Sequence, residues 1–181
     1  MKRKLATLGL AMAATIGLLA GSPGHASALT YAQMWTYGGG WCVTVDTSVH
    51  AGSLVYLWPC KGQSNQHFAE GTYDNGNTIV FVSQLRDSAG RDLCLADPGD
   101  SDSQGVQWEL WYCENITAED LAISIQGGAG SNEIWYETGH GYENGMTLNI
   151  WGGGPYYDGQ PIKTYHICSC HNEEWNGPGP N

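Results

Sequence analysis

In Leu57-Trp58-Pro59-Cys60-Lys61-Gly62-Gln63-Ser64-Asn65-Gln66-His67-Phe68 an indole stands two residues before a cysteine, and an Asn-Gln pair stands just before an aromatic ring. A strand built only to fill a core needs neither the carboxamides nor the indole at that spacing. Carboxamides donate and accept hydrogen bonds, an indole offers a flat apolar face with one donor, and none of these is a nucleophile. The stretch is equipped for recognition.

Residue sets that would carry catalysis are missing or unspecific. The chain has no G-x-S-x-G and no H-E-x-x-H. Carboxylates such as Glu114, Glu119 and Asp120 are of the type a glycosidase pair requires, but spare acids are the norm in so acidic a chain. No enzymatic activity is expected. His166-Ile167-Cys168-Ser169-Cys170-His171 is dense in zinc-ligand types, yet a structural zinc usually draws on two well-separated knuckles, so neither a metal nor another cofactor is expected. Asp97-Pro98-Gly99-Asp100-Ser101-Asp102 looks like a calcium loop but lacks the later acid of an EF-hand, Trp111 standing in its place, and reads as a solvated turn. Asn115-Ile116-Thr117 is a glycosylation sequon, meaningful only in a eukaryotic host.

The elements that must position these residues recur. One block runs from Trp41-Cys42-Val43 through Val55-Tyr56-Leu57-Trp58-Pro59-Cys60 to Asn65-Gln66-His67-Phe68. A second runs from Leu93-Cys94-Leu95 through Gln107-Trp108-Glu109-Leu110-Trp111-Tyr112-Cys113 to Leu121-Ala122-Ile123. A third runs from Met146-Thr147-Leu148 through Ile162-Lys163-Thr164-Tyr165-His166-Ile167-Cys168 to Asn172-Glu173-Glu174-Trp175. The period is about 53 residues. Within blocks, β-branched and aromatic runs such as Val43-Thr44-Val45, Leu54 to Trp58 and Thr78 to Val82 alternate with turn chemistry at Asp74-Asn75-Gly76-Asn77, Gly152-Gly153-Gly154 and Asp158-Gly159. Ala118 to Ile125 fits a helical turn or a strand. The reading is all-β in three repeats.

Met1-Lys2-Arg3-Lys4, the apolar stretch to Ala20 and Ala26-Ser27-Ala28 have the form of a secretory signal peptide over 1–28, with the mature chain starting near Leu29 and an extracellular location expected. Mature protein then has four basic residues, Lys61, Arg86, Arg91 and Lys163, against eighteen acids, a formal charge of about −14. Such a chain should bind neither nucleic acid through phosphate neutralisation nor an anionic membrane surface, and no membrane insertion is expected. In an exported chain the even number of cysteines implies disulfides. The repeat selects Cys42 with Cys60 and Cys94 with Cys113. Thr147 replaces the first cysteine of the third block, so Cys168 and Cys170 are left as a local bridge, as two thiols or as metal ligands.

With the repeat in view, the pattern C-L-x…G-x-x-V-x-L-W-x-C…N-Q-x-W over residues 36–176 resembles the ricin-B-type β-trefoil lectins and the related modules attached to bacterial glycosidases. The first block matches most fully, the second keeps the cysteines and the third the closing Trp175. The resemblance implies a six-stranded barrel capped by three hairpins, with residues 29–35 as an N-terminal segment and 177–181 as a tail. It also implies a shallow sugar site in each repeat. There an aromatic before the second cysteine stacks on a pyranose face, and an acid two residues after the first cysteine grips hydroxyls, supported by the closing Asn-Gln. A pyranose presents an apolar C–H face rimmed by hydroxyls, which one flat ring and a few fixed donors and acceptors suit.

The sequence departs from that pattern at the acid, which is Thr44, Ala96 and Asn149 in the three blocks. Asp46 comes two residues too late and Asp97 one too late. The first site is therefore expected from Thr44, Asp46, Tyr56, Trp58, Asn65 and Gln66, and the third from Asn149, Tyr165, Asn172 and Glu173. The second has Trp111 and Glu109 alone and is expected not to work. The reading is a secreted carbohydrate-binding protein without catalysis, for galactose- or xylan-type sugars. The alternative is a trefoil with decayed sugar sites that binds a secreted protein partner as a toxin subunit or enzyme inhibitor.

Overall fold

The computed structural model describes residues 29–73, 78–99, 103–114, 121–124, 132–136, 146–168 and 170–177. Fourteen strands run through them: β1 Ala32–Gln33, β2 Trp35–Thr36, β3 Trp41–Thr44, β4 Ser53–Leu54, β5 Tyr56–Pro59, β6 His67–Tyr73 and β7 Thr78–Ser83, followed by β8 Leu93–Ala96, β9 Glu109–Tyr112, β10 Leu121–Ser124, β11 Asn132–Tyr136, β12 Met146–Ile150, β13 Gln160–His166 and β14 Glu174–Asn176. Single 3-10 turns at Ser64–Gln66 and His171–Glu173 lead into β6 and β14. The stretch that reads as helical turn or strand contains β10, a strand.

Antiparallel pairing closes a ring. β2 pairs with β14, β14 with β11, β11 with β10, β10 with β7, β7 with β6 and β6 with β1, which runs directly into β2. On this barrel stand three hairpins, β3–β5, β8–β9 and β12–β13, each joined to the barrel through one pair: Trp35↔Cys42, Val82↔Cys94 and Trp135↔Thr147. This is a β-trefoil of three lobes. The hairpin registers superpose: Cys42↔Trp58, Cys94↔Trp111 and Thr147↔Tyr165 occupy one place, and Thr44↔Tyr56, Ala96↔Glu109 and Asn149↔Lys163 another.

The three hairpins meet in a cyclic set of backbone hydrogen bonds. The Val55 amide donates to the Trp108 carbonyl (2.9 Å), the Trp108 amide to the Ile162 carbonyl (3.0 Å), and the Ile162 amide to the Val55 carbonyl (3.4 Å). This ring explains why the apolar run from Leu54 to Trp58 is two strands, not one. The Val55 amide turns away from its own lobe to satisfy a buried carbonyl in the next. A second ring lies outside it, from the Gly52 amide to Leu110, Gly105 to Thr164 and Gly159 to Leu57.

The inward residues of all three hairpins fill one core. Val43, Leu57, Leu95, Leu110, Leu148 and Ile162 are fully buried there with Phe68, Phe81, Trp108 and Trp175. A single hairpin buries too little apolar surface to stand alone, so each lobe is stable only against the other two. The exception in the core is Thr164, opposite Leu148. Its buried hydroxyl donates to the Ser103 carbonyl at 2.7 Å, so this hydroxyl is not left unmatched. Disulfides Cys42–Cys60 and Cys94–Cys113 tie each of the first two hairpins at its base, and a third joins Cys168 to Cys170.

Candidate functional site

The pleat of each hairpin sends alternate residues outward. At the shared outer position Trp58, Trp111 and Tyr165 are each 37 % exposed. Three lobes thus present a solvent-facing ring at one place, whereas Trp108 and Trp175, of the same chemistry, are sealed in the core.

Beside Trp58 lies an open cleft of about 220 Å³, lined also by Thr44, Asp46, Tyr56, Pro59, Lys61, Gln63, Asn65 and Gln66. All six residues expected at the first site are therefore brought together, and Lys61 and Gln63 join them. Their hydrogen bonds divide them. Gln66 is buried, its Nε2 donating to Thr44 Oγ1 (3.0 Å) and the Pro59 carbonyl (2.9 Å). Its Oε1 accepts from the Lys61 amide (2.7 Å) and Gln33 Nε2 (3.1 Å). Thr44 Oγ1 donates in turn to the Cys42 carbonyl at 2.9 Å. Asn65 Nδ2 donates to the Val45 carbonyl (2.8 Å), while its Oδ1 has no hydrogen-bond partner. Asp46 is exposed at the rim, and Trp58 supplies the flat face. Trp58 leans on the third lobe, where a methyl group added at Gly159 would lie 3.7 Å from its ring.

The third lobe repeats this scheme with substitutions. Asn172 Nδ2 donates to the Ile150 carbonyl (3.4 Å), the counterpart of Val45, and also to Asn149 Oδ1 (2.8 Å). Glu173 takes the place of Gln66: it is fully buried, and its carboxylate accepts from the Cys168 amide (2.9 and 3.1 Å) and the Cys170 amide (3.1 Å). Asn149, Tyr165, Asn172 and Glu173 thus form one neighbourhood, with Glu173 turned inward.

Two residues of this lobe escape the motif pattern. Trp151 is 37 % exposed, with its ring centroid 6.0 Å from that of Tyr165 and the planes at 76°. Lys163 Nζ lies 4.7 Å from the Trp151 ring centroid. The signal was alternation: Trp151 follows Asn149 by two, and Lys163 precedes Tyr165 by two. A Trp leading into Gly152-Gly153-Gly154 reads as part of a turn and hides it.

In the second lobe Asp97 is fully buried and does not line an open site. Glu109 stands beside Trp111 on β9, and desolvation by burial pushes its carboxyl above the ordinary carboxylate range. Residues 115–120, which carry the sequon and the start of the closing segment, lie outside the described residues, as does the turn at 74–77. Among the described residues, no group of three or more His, Cys, Asp or Glu side chains is placed to hold a metal ion.

No protein-family model matches the chain, and no curated protein matches it. Solved structures do. ThreeFoil, a designed protein of threefold symmetry, superposes with a TM-score of 0.68 at 17 % identity, over 83 % of this chain and 99 % of that one. A ricin B-like lectin from Macrolepiota procera, solved in complex with lactose, gives 0.62 at 14 % identity, over 85 % and 98 %. An exo-β-1,3-galactanase from Clostridium thermocellum gives 0.67 at 16 % identity over 82 % of this chain but 30 % of that one. At these identities the likeness is one of fold, the β-trefoil.

Proposed function

We propose that this chain is a secreted carbohydrate-binding protein that acts without catalysis, its first lobe being the principal site and its third the next. The observation that carries this is the exposed Trp58 face over an open cleft walled by carboxamide, hydroxyl and carboxylate groups. A stacked pyranose would place its C–H face on the indole and its hydroxyls toward the exposed Asp46 and the side of Asn65, whose Oδ1 is buried and has no partner within the protein. Thr44 and Gln66 then act as the frame that holds the cleft, since their hydrogen bonds are made internally. Several ricin-B-type neighbours are named for bound sugars, lactose in the Macrolepiota lectin and α-methyl-D-galactoside in a Momordica charantia protein, which supports galactose-type ligands. A shallow open site gives weak binding per lobe, and two working lobes on one particle would raise it through effective concentration.

A glycan and polysaccharide screen of wild type beside Trp58→Ala tests the reading. Binding that disappears in a folded Trp58→Ala protein supports the first lobe, and binding that survives moves the principal site to the third. A wild-type protein that binds no sugar overturns the proposal. That result would favour a second reading, a trefoil that docks a secreted protein, for which the absence of an acid at Thr44, Ala96 and Asn149 speaks.

A further inference from the structure

We propose that the outer face of the third hairpin binds an anionic sugar, with the Lys163 ammonium meeting the ligand's charge; this deepens the carbohydrate-binding reading and rests on it. Asn149 pairs with Lys163 and Thr147 with Tyr165 across β12 and β13. Cross-strand partners share a face, so Asn149, Lys163 and Tyr165 look the same way, while Ile162 and Thr164 between them are buried inward. Trp151 completes the face, edge-on to Tyr165 and under the Lys163 ammonium. Trp151 and Tyr165 meet edge-to-face at 76°, so the two rings form a corner on this face, and Lys163 Nζ lies over the Trp151 ring.

Apart from the Tyr165 hydroxyl, which can donate or accept, the polar groups of the corner are donors. Asn149 Oδ1 is occupied by Asn172, and Asn149 Nδ2 is buried beneath the face without a hydrogen-bond partner. Lys163 offers three N–H donors and no acceptor. The Glu173 carboxylate, the acid of this lobe nearest in sequence to the motif, is fully buried and held by backbone amides. Neutral hydroxyls ask for acceptors as well as donors, whereas a carboxylate or sulfate asks for donors alone.

The charge distribution singles out the same place. Arg86 pairs with Asp92 at 2.9 Å and Arg91 with Asp87 at 2.7 Å. Lys61 and Lys163 make no ion pair with any described residue. Lys61 lines a cleft that also holds the Asp46 carboxylate. Lys163 faces an indole, which attracts an ammonium without neutralising it. In a chain with eighteen acids, this cation is available to a ligand.

The test is calorimetric titration, at physiological ionic strength, of two matched pairs: trigalacturonate against its methyl ester, and a sulfated galactobiose against the unsulfated disaccharide. Wild type is expected to prefer the anionic member by about fivefold, the scale of one exposed ion pair. Lys163→Met should abolish that preference with folding unchanged, Trp151→Ala should abolish it with loss of binding at this lobe, and Lys61→Met should leave it intact. Preference in both pairs would assign recognition to charge, and preference in the first alone to the carboxylate. Equal affinity for charged and neutral members, or a preference that survives Lys163→Met, overturns the inference while sugar binding stands. If no sugar in these pairs or in the wider screen binds wild type, it is the carbohydrate-binding reading that has failed.

Discussion

Gln66 Nε2 donates to the Thr44 hydroxyl over 3.0 Å, and through that bond the closing turn of the first lobe is tied to its opening strand. With its other three bonds, Gln66 ties the 3-10 turn to the Pro59 carbonyl at the end of β5, to the Lys61 amide and to Gln33 of β1. An Asn-Gln pair thus divides its work, the Gln holding the frame and the Asn bonding the Val45 carbonyl while its own oxygen is buried without a partner. Glu173 does the same framing in the third lobe with a carboxylate.

That division predicts that Gln66→Ala is a folding variant before it is a binding variant. It strands the Lys61 amide and the Pro59 carbonyl in a partly buried place, at about 1–3 kcal/mol for each group left unsatisfied. Urea denaturation should show a loss of at least about 2 kcal/mol. A loss near zero would mean that water replaces Gln66 without cost and that its bonds are incidental.

The tryptophans separate in the opposite way. Trp175 is buried and its Nε1 donates to the Leu148 carbonyl at 2.8 Å, so Trp175→Ala should cost about 3–5 kcal/mol. Trp58 keeps over a third of its surface in solvent, and Trp58→Ala should change stability by about 1 kcal/mol or less while removing sugar-dependent changes in fluorescence. A Trp58 variant that unfolds would place that ring among the structural ones.

Much of this division is legible in the sequence, and what is not has a physical cause. The pairs Cys42–Cys60 and Cys94–Cys113 follow from the repeat, as does the inward place of Phe68 and Trp175, because each copy sets its cysteines and final anchor at matching offsets. The first cleft is visible because its residues come from one hairpin and the turn after it. The corner at Trp151 is not, since Lys163 and Trp151 stand twelve residues apart in sequence and meet only through the β12–β13 register. The Val55–Trp108–Ile162 ring is invisible for a related reason: backbone bonds between lobes leave no mark on side-chain type.

The disulfides should differ in worth. Cys42–Cys60 and Cys94–Cys113 close loops with separations of 18 and 19 residues, each worth about 3 kcal/mol in the loop-entropy account. Cys168–Cys170 spans a separation of 2 and constrains the unfolded chain little. Replacing Cys168 and Cys170 together by Ser should shift the denaturation midpoint far less than replacing either longer pair. A larger shift from the short pair would show that it holds the Cys168 and Cys170 amides in place for Glu173.

Two carboxyls should give opposite pH signatures. Backbone and side-chain hydrogen bonds from Arg91, joined by the Ala89 amide, hold Asp87 below the ordinary carboxylate range. Its contribution is present above the unfolded-state pKa and is lost as pH falls through the lower folded value. Glu109 is raised by burial, so its contribution is present below the unfolded-state pKa and is lost as pH rises through the folded value. Glu109→Gln should therefore be more stable than wild type at pH 7 and equal to it below about pH 4, whereas Asp87→Asn should be less stable at pH 7. Thermal melts across that range check both signs, and a Glu109→Gln protein less stable at neutral pH would contradict the desolvation account.

Gly105 links the second hairpin to the third-lobe corner. Its φ is +85°, which a residue with a side chain adopts only at a cost of about 1–2 kcal/mol, and an added Cβ would lie 3.1 Å from the Trp151 ring. Gly105→Ala is thus expected both to lower stability by that amount and to push the indole away from Lys163, weakening ligand binding at the third lobe alone. Gly52→Ala provides the control. Its φ is +91°, but the nearest atom to the new methyl would be Glu109 Oε2 at 3.8 Å, so it should carry the conformational cost without touching Trp151. Denaturation curves and sugar titrations of the two variants separate the effects: similar stability losses with a binding defect in Gly105→Ala only are expected. Equal binding by both would show that the position of Trp151 does not govern the site.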